Sequence, residues 1–165
     1  MEKRQISLRS IRLEDAAPML DILTSEIVGQ TYMLPIFTYR EEALPIFYKL
    51  ADLSTDETHY VRGIYLNETL IGFMNDVEIK NGMIELGYVI HPDYHGRGYM
   101  TEALKSAIEE LIGRRYREIV TGAFEHNIAS IRVMEKAGMI RMQKVDGIEY
   151  RGNRYKCIYY HTTTI

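Results

Sequence analysis

Residues 83–124 constrain the fold more than any other stretch of this chain. Met83 to Ile90 is an apolar run that reads as a strand. A loop punctuated by Gly96 and Gly98 follows, and a helix starts directly from that loop at about Tyr99. Its Leu104, Ala107, Ile108, Leu111 and Ile112 follow helical spacing, and Gly113 is placed to end it. Arg117 to Phe124 then reads as another strand. Strand, helix and strand in succession require a right-handed crossover and a parallel strand pair. Ligands of such units sit beyond the carboxyl ends of the parallel strands, where the glycine loop and Asn127 both fall.

The loop itself points to an anion. Two glycines remove side chains where a backbone must turn tightly and approach a ligand closely. The helix start presents unpaired N–H groups and the positive end of its dipole, a combination that favours phosphate or pyrophosphate. Arg97 adds a planar donor fork. An ordinary strand-to-helix turn with a surface arginine is the competing reading. Two familiar phosphate loops fail on spacing. No G-x-x-x-x-G-K-[ST] run exists, and Gly96-x-Gly98 lacks the third glycine of a dinucleotide fingerprint, Thr101 standing in its place.

The remaining elements follow from periodicity. Ile6 to Arg12 alternates apolar and polar residues as a strand does. Glu14 to Val28 reads as a helix with Met19, Leu20, Ile22, Leu23 and Ile27 on its apolar face, Pro18 being tolerated in the first turn. Thr38-Tyr-Arg-Glu41 matches a capping box, so a second helix is expected there, kinked or restarted at Pro45. Tyr60–Leu66, Leu70–Ile79 and Met83–Ile90 form an antiparallel meander, turned at Asn67-Glu68 and Asn81-Gly82. Ile128–Ala137 is a short helix closed by Gly138. Met139–Val145 and Arg154–His161 are final strands about a turn at Gly152-Asn153. The sum is an α/β fold: a mixed, mostly antiparallel central sheet with one parallel pair, about 83–90 and 117–124, flanked by helices.

A chain of 165 residues suits one domain, residues 1–165. A net charge of −3 argues against a general nucleic-acid grip. Cys157 is the one cysteine, which excludes an internal disulfide and a cysteine-based metal site, and fits a reducing cytoplasm. Met1 to Leu8 is charged and lacks the apolar core of a signal peptide. No apolar run approaches membrane-spanning length. His91, His95 and His126 show no tight ligand spacing, so no metal is expected.

Two motifs together carry a family resemblance. His95-Gly96-Arg97-Gly98-Tyr99-Met100 is similar to the Q/R-x-x-G-x-G/A acyl-CoA loop of the GNAT superfamily of N-acyltransferases. Asn127-Ile-Ala-Ser130, followed by Lys136-Ala-Gly138-Met139, resembles that superfamily's N-x-x-S and K-x-G-F signature. Residues 96–104 and 147–155 look most like the branch containing the ribosomal-protein N-terminal acetyltransferases, a branch that also acts on amino acids, amines and antibiotics. Three positions depart from the pattern: His95 for Gln or Arg, Met100 for Gly or Ala, and Met134 where many relatives carry the tyrosine that protonates the CoA thiolate.

The resemblance implies an acetyl-CoA-dependent N-acetyltransferase, with direct transfer to a small-molecule or peptide amine in a ternary complex. It assigns the cofactor to Val89, Ile90, His91, His95, Gly96, Arg97, Gly98, Tyr99, Met100, Thr101 and Asn127, and it leaves a homodimer open. Asn127 would touch the pantetheine arm; capping its own helix is the simpler role. Glu85 shares a strand face with Met83, Gly87 and Val89, and as a partly buried carboxylate it would accept the amine's proton; a solvent-facing glutamate is the alternative. Ser130 is one candidate proton donor to the thiolate, with a tyrosine from elsewhere as its rival. Cys157 reads as a small buried hydrophobe. Tyr32, Phe37, Tyr39 and Phe47 either wall the acceptor pocket or belong to the core. A non-catalytic acyl-CoA sensor of the same fold is the alternative function.

Overall fold

The structure, a computed structural model, describes residues 5–164; the charged stretch at 1–4 lies outside the described residues. Seven strands follow the hydrogen-bonded order β1-β2-β3-β4-β5-β7-β6. They are β1 (Ile6–Arg9), β2 (Val61–Leu66), β3 (Thr69–Lys80), β4 (Met83–Ile90), β5 (Glu118–Phe124), β6 (Ile140–Tyr150) and β7 (Asn153–Thr163). The pair β4–β5 is parallel, as the crossover requires, and every other pairing with a defined register is antiparallel. The mixed α/β sheet is therefore the one anticipated. The chain folds as two compact units, with β3 and β4 each contributing to both.

The first unit comprises the described residues up to Asn75 together with Tyr88–Tyr99. It contains α1 (Ala16–Leu23), α2 (Glu26–Gly29) and α3 (Leu44–Leu53). Met19, Ile22, Leu23, Phe47, Tyr65 and Phe73 form its dry centre. The helix expected over 14–28 is broken. Thr24 turns its hydroxyl back onto the Leu20 carbonyl, and Ser25 starts α2 by accepting from the Val28 N–H. The break leaves Ile27 56% exposed, off the apolar face assigned to it. The capping box is also displaced. Glu42, not Glu41, reaches back to the Thr38 N–H, and Pro45 sits in the first turn of α3, which it begins rather than kinks. Asp15 is buried, but Tyr65 donates to it at 2.6 Å and Arg12 at 3.0 Å. A buried carboxylate satisfied in this way is tolerated.

The second unit comprises Asp76–Gly87 and the described residues from Met100 onward. It holds α4 (Tyr99–Gly113, from Met100 on), α5 (Ile128–Lys136) and strands β5 to β7. β5 is buried on both faces, which explains its nearly continuous apolar sequence. α4 ends on Gly113 as expected, but not by a left-handed glycine. The left-handed position is Arg115, at φ 71°, and the Tyr116 N–H closes onto the Leu111 carbonyl. α5 ends with the same geometry on the residue expected: Gly138 at φ 85°, with Met139 N–H on the Met134 carbonyl. β6 runs five residues past Val145, because Asp146-Gly147 continues the strand and the turn is Arg151-Gly152, at φ 49° and 78°.

Candidate active site

In the first unit, Gly72 lets the end of β4 come close. A Cβ there would lie 2.3 Å from the Val89 carbonyl oxygen. The His91 N–H then donates to the Ile71 carbonyl at 2.7 Å, fixing where the loop departs. His95 closes the loop base, its Nε2 meeting the Ile90 carbonyl at 2.9 Å. Gly96 and Gly98 stand at φ 72° and 80°, a backbone shape that other residues resist. No atom lies within 4 Å of where a Cβ would be at either glycine. The loop therefore presents bare, open backbone at both glycines. Arg97 is exposed between the two glycines, its guanidinium 6.0 Å from the Tyr94 ring centre. Tyr99 and Met100 are each 7% exposed, so the bulk of Met100 is buried instead of crowding the loop. This donor set suits a pyrophosphate.

In the second unit, Glu85 is half-buried. Burial pushes its carboxyl above the usual carboxylate range; Lys144 opposes the rise, and Glu78 and Asp146 add to it. Glu85 pairs in register with Val120 of β5, and Val120 with His161 of β7. Paired residues project to the same side of a sheet, so Glu85 shares a face with Gly122 and Tyr159. The Tyr159 ring covers Gly122, where a Cβ would meet its Cε1 at 2.7 Å. Its hydroxyl donates to Asp146 at 2.9 Å. Cys157 is buried beside it, and burial pushes the thiol up, away from reactive thiolate. Sequence reasoning missed the Tyr159–Asp146 pair. Its only sequence signal is the alternation along β7, which says nothing of its partner on β6.

Asn127 caps α5, its Oδ1 accepting from the Ser130 N–H at 3.2 Å. The cap leaves the carboxamide NH2 as the end that can meet a ligand. Ser130 is half-buried in the first helical turn. Met134 is fully buried, and the Thr121 hydroxyl donates to its sulfur. Of the aromatic residues weighed for an acceptor wall, Phe47 is core, Tyr32 and Phe37 pack against the core, and Tyr39 is 68% exposed. Among the described residues, no group of three or more His, Cys, Asp or Glu could hold a metal, and no helix is long and apolar enough to cross a membrane.

Residues 5–140 match the family model described as the acetyltransferase (GNAT) domain, and this chain belongs to that family of acyltransferases. It is 34% identical over 74 residues to the N-acetyltransferase YjdG of Bacillus subtilis (strain 168), covering 44% of each chain. The chain spans about half the length of the curated relatives it matches. Two solved structures share the fold over nearly its whole length. The microcin C7 self-immunity acetyltransferase MccE, in complex with acetyl-CoA and AMP, superposes with a TM-score of 0.84 at 16% identity, covering 97% of this chain and 93% of that one. The ribosomal L7/L12 α-N-protein acetyltransferase RimL does so at 0.83 and 17%, covering 96% and 90%.

Proposed function

We propose that this protein transfers the acetyl group of acetyl-CoA to a primary amine, which is a protein N-terminus, an amino acid or a small amine. The observation that carries the reading is the bare, open backbone at Gly96 and Gly98, with Arg97 between them and the start of α4 directly after. Backbone N–H groups and a helix N-terminus hold pyrophosphate without a side-chain cap. The backbone of Val89, Ile90 and His91 takes the pantetheine amides in the manner of an added strand, and a backbone N–H near Val89 polarises the thioester carbonyl. Asn127 adds its carboxamide donor.

Glu85 accepts the proton of the amine. The free amine attacks the thioester carbon, the new C–N bond forms, and the C–S bond breaks, leaving the electron pair on sulfur. The nitrogen then gives up its remaining extra proton to the Ser130 hydroxyl oxygen as that hydroxyl passes its own proton to the thiolate, so sulfur ends as the thiol and Ser130 is unchanged. At an ordinary thiol pKa near 8.5 the thiolate is already a competent leaving group. That RimL acts on a protein N-terminus makes N-terminal peptides the first acceptors to try.

The test is CoA release from acetyl-CoA with peptides, amino acids, polyamines and aminoglycosides. In wild type, kcat/KM should fall as pH drops through the raised pKa of Glu85. Glu85→Gln should lower turnover by roughly 10²–10⁴ with CoA affinity retained, and should flatten that acidic limb. Glu85 has a second signature. A carboxyl raised in the folded state binds its proton more tightly there than in the unfolded chain. Its stability contribution therefore falls as pH rises from the unfolded carboxylate range through the folded pKa. Glu85→Gln should accordingly raise Tm slightly at neutral pH and not at all in acid. CoA binding without release to any amine would establish the acyl-CoA sensor instead.

A further inference from the structure

Four aromatic rings that the proposed chemistry does not use gather where the tip of the β6–β7 hairpin meets the end of β5: Tyr150 and Tyr155 from the hairpin, Phe124 from β5 and His126 from the residues after it. Tyr155 stacks on Phe124 with ring centres 4.6 Å apart and planes 21° from parallel. His126 stacks on the same ring at 5.7 Å and 20°, lies 5.5 Å from Tyr155, and Tyr150 flanks both Phe124 and Tyr155 at 6.1 and 6.3 Å. A structural role explains Phe124, which is buried at the end of β5. It does not explain the others. The β5–β7 register ends at Phe124 and Cys157, so Tyr155 and Tyr150 lie on the part of the hairpin that overruns β5. His126 is exposed, on the residue before the Asn127 cap. Lys156 pairs with Glu125 at 3.0 Å and Arg154 with Glu149 at 3.8 Å, while the Arg151 guanidinium lies over the Tyr150 ring, 5.0 Å from its centre. His126 is exposed and Tyr155 half-buried, so part of this stacked cluster remains open to solvent beside the end of β5.

We propose that these rings form a platform for a planar aromatic group carried by the amine acceptor. The inference rests on the acetyltransferase reading. Phe124 is four residues beyond Val120 on the strand face that Val120 shares with Glu85, which separates platform from base by about 13 Å along the strand. The acceptor that spans both is an extended peptide whose aromatic residue stands three or four positions from its free amine. Offset or parallel ring pairs favour another ring over an aliphatic chain of equal area by a factor of about three to ten.

The experiment uses alanine-based pentapeptide amides with a free N-terminus, carrying Phe or cyclohexylalanine at position four or five, and measures acetyl-CoA-dependent CoA release. Wild type should show kcat/KM about three- to tenfold higher for Phe, confined to those positions. His126→Ala and Tyr155→Leu should each bring that ratio toward one. Turnover with no ring preference, or a preference that both variants keep, overturns the platform and leaves the acetyltransferase reading standing. If no peptide is acetylated, that reading fails for peptides, and NMR decides the platform separately. The His126 and Tyr155 ring resonances, followed on adding the same Phe and cyclohexylalanine peptides, must shift with Phe alone; equal or absent shifts overturn it.

Discussion

The junction after β4 and the junction after β5 solve one problem in opposite ways. Each carries the chain from a parallel strand into a helix whose first N–H groups lack intrahelical partners. After β5 the chain answers with its own side chain: Asn127 caps α5 through the Ser130 N–H. After β4 the residue before the helix is Gly98, which has no side chain to offer, and the space above it and above Gly96 is open. A junction that caps itself needs no ligand to be satisfied. A junction that leaves bare backbone at positive φ, where glycine alone is at ease, keeps its helix-start N–H groups free of a side-chain cap from the residue before the helix. In the proposed function the same contrast sorts the candidate residues: binding at the β4 junction, positioning at the β5 junction.

The sharpest way to break this contrast is Gly98→Val. At φ 80° a β-branched residue is strained wherever it points, and its side chain would cover the open backbone. CoA affinity measured by calorimetry should fall by roughly a hundredfold or more, since strain of about 1–3 kcal/mol adds to blocked approach. The rest of the fold should persist, because no protein atom lies near that Cβ. Unchanged affinity would place the cofactor elsewhere and dissolve the distinction.

This much of the site was legible because glycine, asparagine and turn residues act locally. The loop 95–100, the Asn127 cap, the Gly138 terminator and the Asn81-Gly82 turn all depend on residues within a few positions of one another. What stayed hidden was set at long range. The strand read over Met139–Val145 continues through Asp146-Gly147, which β7 pairing holds extended, with Asp146 opposite Cys157. The Tyr159–Asp146 pair and the hairpin rings depend on that register, which shifts irregularly between Arg141 and Val145. Local signals misled where a competing bond won: Thr24 and Ser25 broke a helix that periodicity alone would continue, and Arg115 took the left-handed position two residues after the glycine that looked suited to it.

Met134→Tyr probes how far along α5 the positioning role extends. Met134 is fully buried, with Thr121 bonded to its sulfur, so a phenol there is overpacked. We expect a loss of about 1–3 kcal/mol in stability by denaturant titration and no acceleration of turnover. A large gain in rate would show that the missing phenol limits the reaction and would move function deeper into the helix than its first turn. Ser130→Ala is milder, because the Ser130 N–H that satisfies Asn127 is retained and only the hydroxyl is lost. Turnover should drop about tenfold, less than for Glu85→Gln, as expected when the leaving thiolate needs little help. A loss equal to that of Glu85→Gln, with CoA still bound, would make Ser130 the principal acid.

The smallest expected effect tests the comparison itself, since it asks whether Asn127 is a cap alone. Asn127→Ala removes both the cap and the carboxamide donor and should cost about 1 kcal/mol of stability. Asn127→Ser keeps a good capping oxygen and discards the NH2 group, so its stability should stay near wild type. The two variants therefore separate the roles. If Asn127 also meets the pantetheine, CoA affinity drops in both by a few-fold, the worth of one neutral hydrogen bond of about 1 kcal/mol. If it only caps, the serine variant binds CoA as wild type does, and the alanine variant loses affinity no more than its frayed helix start explains. The second outcome would confine the cofactor contacts to the β4 junction and its strand. It would also make the two junctions fully distinct in purpose, one built for its helix and the other for its ligand.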